Sequence, residues 1–501
     1  MDDKLTASQK EALEVLLSGQ NTFLTGEAGT GKSFLLSHFV TKVKDFKNVL
    51  LSAPTGIASL NIGGVTLHRL FGLGTDILSL SEEPEEANIS EAIKSADILI
   101  IDEISMCRLD VFEKVMRTLK IANSKAQVVL VGDFLQLPPV LVDSEVEVYE
   151  TLHGSSLYAF ESPLWKEFNF VTKQLSEVVR QKDPVFIENL NKARRGNRSC
   201  IEYFNNLKNR RNKKEAVIEI CARNKTAFNI NEKALNKIKS EPFVYSSEIE
   251  TLESGFRLTK NEKPMDDTIT LKVGARVLLC VNLSDKCLFN GQLGTVQDLD
   301  ANGALVSFDN GEVEYIERYT WLIKGYDVVR NKATGKKKVS LVTIASFKQI
   351  PLKPAFAITI HKSQGQTYQK AIVHPSCWER GQLYVALSRA SSASGLYLAT
   401  KIQDSYLVAD QKVLAFYNGT YERPGLPKQE EEIEVPVEPE KTVEEPKQAQ
   451  KTGRKRKFSG LDTKTVRLPV AYIDFAVKVC DVLASIEADE KILEKILKSI
   501  N

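Results

Sequence analysis

Three short apolar runs, Val49–Leu51, Ile98–Ile101 and Val128–Val131, are each followed by turn residues and then by a helical spacing of apolar positions. A strand apolar on both faces belongs in a sheet covered on both sides, and its alternation with helices marks parallel strands joined by helical crossovers. The alternation runs from Leu5 to about Gly425 without low-complexity sequence, which predicts an α/β fold. From Leu271 to Ser307 the texture changes. LKVGARVLLCV, GQLGTVQDL and GALVSF are short strands split by glycine turns, and predict a small antiparallel β-barrel inserted in the second half. Between Lys428 and Lys451, Glu, Pro and Lys dominate and aromatics are absent, which predicts a disordered linker. Beyond the basic cluster Arg454–Lys457, TVRLPV reads as a strand and two helices follow. In the second, Ile492, Leu493, Ile496, Leu497 and Ile500 share one face.

Length and charge narrow the classes. At about 150 residues per domain, 501 residues suggest about three domains. Lys plus Arg number 67 and Asp plus Glu 65, so 67 − 65 = +2, and 43% of positions are hydrophobic. This excludes a collagen-like, wholly disordered or polycationic DNA-coating chain, yet allows a local basic groove. Seven cysteines without a close pair suit buried thiols in a reducing compartment better than a disulfide scaffold or a zinc site. The start, MDDKLTASQKEALEVLL, has no basic leader, and no apolar run approaches the ~20 residues that span a membrane. We expect a soluble intracellular protein with no membrane partner: cytoplasmic in a bacterial or viral setting, nuclear in a eukaryote.

Gly26-Glu-Ala-Gly29-Thr30-Gly31-Lys32-Ser33 matches G-x-x-x-x-G-K-[ST], between the β-like Asn21–Thr25 and the helical Phe34–Val40. Glycines let backbone N–H groups curl around phosphate oxygens. The lysine neutralises phosphate charge and the serine hydroxyl suits Mg²⁺. Leu99–Ile101 is an apolar strand ending in Asp102-Glu103, placing one carboxylate for the Mg²⁺ shell and one as general base. These two elements predict a nucleoside triphosphatase using ATP and Mg²⁺, and nothing finer.

Further segments decide the class. They are Ala53-Pro54-Thr55-Gly56-Ile57-Ala58, Gly64-Val65-Thr66-Leu67-His68-Arg69-Leu70-Phe71, Gly132-Asp133-Phe134-Leu135-Gln136-Leu137-Pro138-Pro139, Thr359-Ile360-His361-Lys362-Ser363-Gln364-Gly365-Gln366-Thr367 and Gly381-Gln382-Leu383-Tyr384-Val385-Ala386-Leu387-Ser388-Arg389-Ala390. With the stretch from Asp102 to Arg117, they resemble superfamily-one helicases of the 5′-to-3′ branch, most closely the PIF (petite integration frequency) family. The resemblance runs from about Leu5 to Ala390. It implies two RecA-like parallel-sheet motor domains, at 1–174 and at 175–268 with 341–426. It also implies the small β-barrel at 269–340, followed by the disordered charged linker at 427–457 and the strand/two-helix module at 458–501. Arg180 and Arg389 match the family's arginine fingers. Gln136 matches its γ-phosphate sensor, Gln9 its adenine-reading glutamine, and Gln364 and Gly365 the cleft lining.

The resemblance implies an ATP-dependent DNA helicase moving 5′ to 3′ on single-stranded DNA. It would unwind forked or tailed duplexes, with RNA–DNA hybrids and G-quadruplexes as further substrates, and would act as a monomer in replication, repair, recombination or telomere-type maintenance. Thr55, Thr66 and His68, with Thr359, His361 and Lys362 in the second domain, are short polar or basic groups on loops suited to phosphate oxygens, and Pro54, next to Thr55, is expected to contact DNA with them. Phe71, Phe134, Pro138 and Pro139 suit stacking or wedge surfaces, although core packing accounts for Phe134 equally well. The loop Gly63–Thr75 is a candidate strand-separating wedge. Arg454–Lys457 fits a nuclear-localisation signal, a nucleic-acid patch or a solvated linker end. A RecD-type subunit of a nuclease complex, an ATP-gated DNA clamp and an RNA helicase are the competing readings. Glu103, Arg180 and Arg389 weigh against a clamp, since each serves turnover.

Overall fold

The computed structural model describes residues 4–422, apart from 75, 82, 142, 208–216, 253–257, 260–261, 287 and 331–336. The linker, the basic cluster and the C-terminal module expected beyond 426 lie outside the described residues, as does Thr75 at the end of the wedge loop.

Six parallel strands form the first sheet: β1 (Thr22–Gly26), β2 (Val49–Ala53), β3 (Val65–Thr66), β4 (Ile98–Ile101), β5 (Gln127–Val131) and β6 (Val171–Leu175), in spatial order β3-β2-β4-β5-β1-β6. β1, β4 and β5 are buried at every position. Their alternate residues feed two separate cores, as the two-residue strand period requires. Leu24, Ile98, Ile100, Val129 and Val131 pack with α1 (Ala7–Leu17) and α2 (Lys32–Val43). Phe23, Leu99, Ile101, Val128 and Leu130 face the opposite core, with the helix Leu109–Ile121. α1 opens on a capping box: Thr6 Oγ1 accepts from Gln9 N at 3.4 Å, and Gln9 Oε1 accepts from Thr6 N at 3.0 Å.

A second sheet of four parallel strands has the order Ala357–Thr359, Ile218–Cys221, Ala371–Val373, Leu396–Leu398. Between the first two of these in space, the chain builds antiparallel ladders of five, three and two strands around Tyr245, Val277, Phe308, Trp321 and Phe347. Their strands run from Phe243 to Pro354, wider on both sides than the expected 269–340. The five-stranded ladder is open, ending on Val313–Glu317 and Leu352–Pro354. The described residues show the expected antiparallel insertion, with its strands in open ladders where a small β-barrel was expected. Glycine turns announced its short strands. The long hairpin of Tyr319–Arg330 and Lys337–Gln349 carries Gly325 inside a strand rather than at a turn, and escaped the reading.

Two segments return to the first sheet. Near the far end of the hairpin, Leu51 N donates to the Tyr326 hydroxyl at 2.6 Å, and Val339 N donates to Asn48 Oδ1 at 3.2 Å. β3 pairs β2 only at Ser52 and Ala53, so Tyr326 covers the rest of an open sheet edge. The helix Gln411–Tyr417 buries Val413 and packs Phe416 and Tyr417 in the first core, although chain order assigned it to the second motor domain. Its apolar face, not its sequence position, decides where it docks.

Phe134 joins Phe23, Tyr158, Phe160, Trp165 and Phe416 at centroid separations of 5.4, 6.1, 4.9, 5.9 and 5.7 Å. It is a core residue, and the stacking surface considered for it is not where the fold places it. Phe134→Ala should destabilise the protein by about 3–5 kcal/mol through the lost burial and the cavity left behind. A lower urea midpoint followed by tryptophan emission checks this, and an unchanged midpoint contradicts it.

Candidate nucleotide and nucleic-acid sites

Parallel strands release their loops at one edge, and β5 lies between β4 and β1, with Ile101 beside Leu130 and Leu24 beside Val131. The loop after β1, Asp102-Glu103 after β4 and Gly132–Gln136 after β5 therefore meet. Gly29 and Gly31 have φ of 87° and 81°. A Cβ at Gly29 would stand 2.5 Å from Arg180 Cβ, and one at Gly31 2.5 Å from Gln9 Nε2, so conformation and space both demand glycine. Gly26 turns the chain out of β1. Lys32 opens α2 and donates to the carbonyls of Gly26 at 2.7 Å and Glu27 at 3.1 Å. Burial lowers its pKa against the pull of Asp133, Glu103 and Asp102. Thr30 is buried, and Ser33 is exposed in the first turn of α2.

Asp102 Oδ1 accepts from Glu103 N at 2.9 Å. Glu103 itself has φ 51° and ψ 44°, a left-handed conformation that costs a residue with a Cβ about 1–2 kcal/mol. Burial raises the pKa of both carboxyls. The Asp102 charge adds to the rise at Glu103, and Lys32 opposes it at both. Gln364 approaches from the second sheet and donates Nε2 to Glu103 Oε2 at 3.0 Å.

Two arginines complete the cleft. Arg389 is buried and donates to the carbonyls of Val385, Ser363 and Gln366 and to Ser388 Oγ at 2.9, 3.2, 3.1 and 2.8 Å. Burial, and then the nearby Arg180 charge, push its pKa down to about 10. Arg180 Nη2 donates to Gly365 O at 3.4 Å. Its Nη1 is buried with no partner among the described residues. A guanidinium with a buried, unused donor, two cations repelling each other, an exposed serine hydroxyl and a buried aspartate together fit a nucleoside triphosphate with Mg²⁺. Among the described residues, no cluster of three or more His, Cys, Asp or Glu forms a metal site made by protein alone. Gln9 sits against the loop, but both amide ends are engaged, Oε1 with Thr6 N and Nε2 with Thr30 O at 2.9 Å.

The residues expected to touch DNA divide. Thr55 and Thr66 cap helices, accepting from Ala58 N at 3.3 Å and Arg69 N at 3.2 Å, and Pro54 is half-buried beside Thr55. His68 and His361 are half-buried, with pKa values lowered by burial. Lys362 is exposed. Thr359 is buried and its Oγ1 is unpartnered. Phe71 is half-buried with part of its ring against the first core, whereas Pro138 and Pro139 are buried, which corrects their reading as stacking surfaces. The run that carries them is apolar because it fills the space between the sheets.

Sequence reasoning gave no role to four residues that hold this edge together. Arg194, ending the helix Pro184–Arg194, donates Nε and Nη2 to Asp133 Oδ2 and Oδ1 at 3.0 and 2.7 Å, both side chains fully out of water. Burial works to raise the Asp133 pKa, but the Arg194 charge and hydrogen bonds outweigh it. Tyr417 OH donates to Asp133 Oδ1 at 3.3 Å and its ring lies under Arg194, 5.5 Å from the guanidinium carbon. Ala28 N, in the phosphate loop, donates to the Tyr384 hydroxyl at 2.9 Å. Asp133 and Tyr384 lay inside quoted motifs. Arg194 and Tyr417 carry no local signal, because their partners are 61 and 284 residues away.

The pattern of the PIF1-like helicase family matches residues 4–214. The "ATP-dependent DNA helicase Pif1" of Campylobacter jejuni is 32% identical over 444 residues, covering 81% of this chain and 96% of that protein. This chain belongs to the PIF1-like helicase family. It is an ATP-dependent DNA helicase. Among solved structures, Pif1 from a Bacteroides species in complex with ADP-AlF4 matches with a TM-score of 0.72 and 33% identity, over 83% of this chain and 96% of that one. Bacteroides Pif1 bound to ssDNA matches with a TM-score of 0.60 and 34% identity, over 83% and 96%. Nothing among these matches favours the RecD-type alternative. No described helix of this helicase is long and apolar enough to cross a membrane.

Removing one member of a buried ion pair strands the other charge, at about 3–5 kcal/mol, whereas replacing both costs far less. Arg194→Met and Asp133→Asn should each lower the thermal midpoint of this helicase sharply. The double variant should recover part of that loss. Strict additivity in such a double-mutant cycle contradicts the pairing.

Proposed function

We propose that this helicase moves 5′ to 3′ on single-stranded DNA and opens forked or tailed duplexes from a 5′ tail. RNA–DNA hybrids and G-quadruplexes are further substrates, and the working unit is a monomer. The observation that carries the reading is the convergence, across one cleft, of Lys32, Asp102 and Glu103 from the first sheet with Arg180, Gln364 and Arg389 from the second. A motor needs its nucleotide between two bodies, so that turnover changes their spacing. The Bacteroides relative crystallised with ssDNA, over most of the same length, supports the choice of strand.

Bound ATP with Mg²⁺ supplies the anhydride whose cleavage drives movement. Gly26, Gly29, Thr30 and Gly31 shape the phosphate loop and Lys32 neutralises phosphate charge there. Ser33 and Asp102 hold the ion. Glu103, held in a strained backbone and hydrogen-bonded by Gln364, takes the proton of the attacking water. Arg180 and Arg389 bring positive charge to the γ-phosphate, an effect worth about 10³–10⁵ in rate. Gln136 donates Nε2 to Asp133 Oδ2 at 3.2 Å, and so links that phosphate to the ion pair beneath it. Gly365 lines the cleft, and Gln9 reads adenine after giving up Thr30. On the nucleic acid, Pro54, Thr55, Thr66 and His68 form one grip and Thr359, His361 and Lys362 the other.

Oligo(dT) should stimulate ATP hydrolysis, and unwinding should occur on duplexes with a 5′ tail and not on those with only a 3′ tail. Opening from the 3′ tail overturns the polarity. Glu103→Gln should keep nucleotide and DNA affinity while cutting hydrolysis by about 10²–10⁴-fold. Full turnover in that variant removes Glu103 as the base.

A further inference from the structure

Of the three tryptophans in the chain, Trp165 and Trp321 are each 8% exposed and Trp378 is 50% exposed. An apolar residue alone on a surface needs no explanation, but this one is held in place. The guanidinium carbon of Arg223 lies 4.7 Å from the centroid of its ring. The buried Gln382 accepts from the backbone N–H groups of Trp378 and Glu379, both at 3.4 Å. A cation at one side of a fixed indole leaves the rest of the ring open to a flat, electron-rich partner.

Its position follows from the sheet register. Thr359 pairs with Cys221 and Val373 with Ile220, so those strands end level with one another. Arg223 stands two residues beyond Cys221, His361 two beyond Thr359, and Trp378 five beyond Val373, all past the same edge. His361 also feels the Glu379 charge, next to Trp378. On the other side, Gly381 fits so closely that a Cβ there would meet Gln136 O at 2.1 Å. One short loop therefore joins the indole to the cleft.

We propose that Trp378, backed by Arg223, is a stacking platform for one nucleobase of the bound single strand. The proposal rests on the reading that this edge of the second sheet grips DNA, and adds a base-contacting site to a set so far made of phosphate contacts. Stacking accepts any base, so the platform lends affinity without sequence preference.

Intrinsic emission of the full chain, titrated with oligo(dT), tests it, because the other two indoles are buried. Emission should be quenched on binding, and the quench should vanish in Trp378→Phe, whose remaining signal from Trp165 and Trp321 reports an intact fold. By anisotropy of a labelled oligo(dT), Trp378→Ala should bind roughly five- to 100-fold more weakly. Trp378→Tyr should recover most of that loss. An abasic oligonucleotide of equal length should bind the Trp378→Ala variant and the parent alike. A quench that survives in Trp378→Phe, or oligo(dT) affinity unchanged in Trp378→Ala, overturns the platform while leaving DNA binding standing. A parent chain that does not bind oligo(dT) at all overturns both readings.

Discussion

The Asp133–Arg194 pair is the contact on which the rest of the arrangement depends. Taking a carboxylate and a guanidinium out of water costs several kcal/mol each, and only close geometry with every donor and acceptor used returns it. That geometry is present. The fork of Arg194 meets both oxygens, Leu135 N and Gln136 Nε2 add hydrogen bonds to Asp133, and Tyr417 adds its hydroxyl below one charge and its ring below the other. One residue follows a strand of the first sheet, one ends a helix of the second core, and one comes from the last helix among the described residues. A pair so demanding holds all three elements in one register, and Gln136 takes its place from it.

Around that fixed point the cleft is built under tension. Lys32, Arg180 and Arg389 each have a pKa lowered by burial, with Arg180 and Arg389 also repelling each other, while Asp102 and Glu103 are pushed the other way. Glu103 carries backbone strain as well. Stability alone would select against such a site. Charges that repel in the protein are complementary to a polyanion, so the electrostatic cost of folding becomes selectivity for the nucleotide.

Much of this was legible in the chain. Short continuous apolar runs gave away the parallel strands, because strands buried on both faces have few polar positions. The phosphate loop and the acidic pair were visible, because their chemistry depends on residues close in sequence. What escaped was long-range. Arg194 looks like any helix-end arginine until Asp133 is placed beside it, and Tyr417 like any aromatic near the end of a helix. Phe134, Pro138 and Pro139 sit inside a motif rich in functional residues and nevertheless fill the core, since a motif records packing as well as chemistry. The insertion was recognised where glycines cut it into short strands and missed where a glycine, Gly325, lies in the middle of a long one.

The hairpin that reaches back to the edge of β2 has a mechanical consequence. It leaves the insertion at one place and meets the first sheet at Leu51 and Asn48, well apart in the chain from Asp133 and Arg194. Contacts gathered at one place resist separation better than they resist twisting. The Tyr326 hydroxyl and Asn48 tie the insertion to the outer part of the first sheet, away from the Glu103–Gln364 and Ala28–Tyr384 contacts at the cleft, and so brace the first sheet against twisting on the insertion.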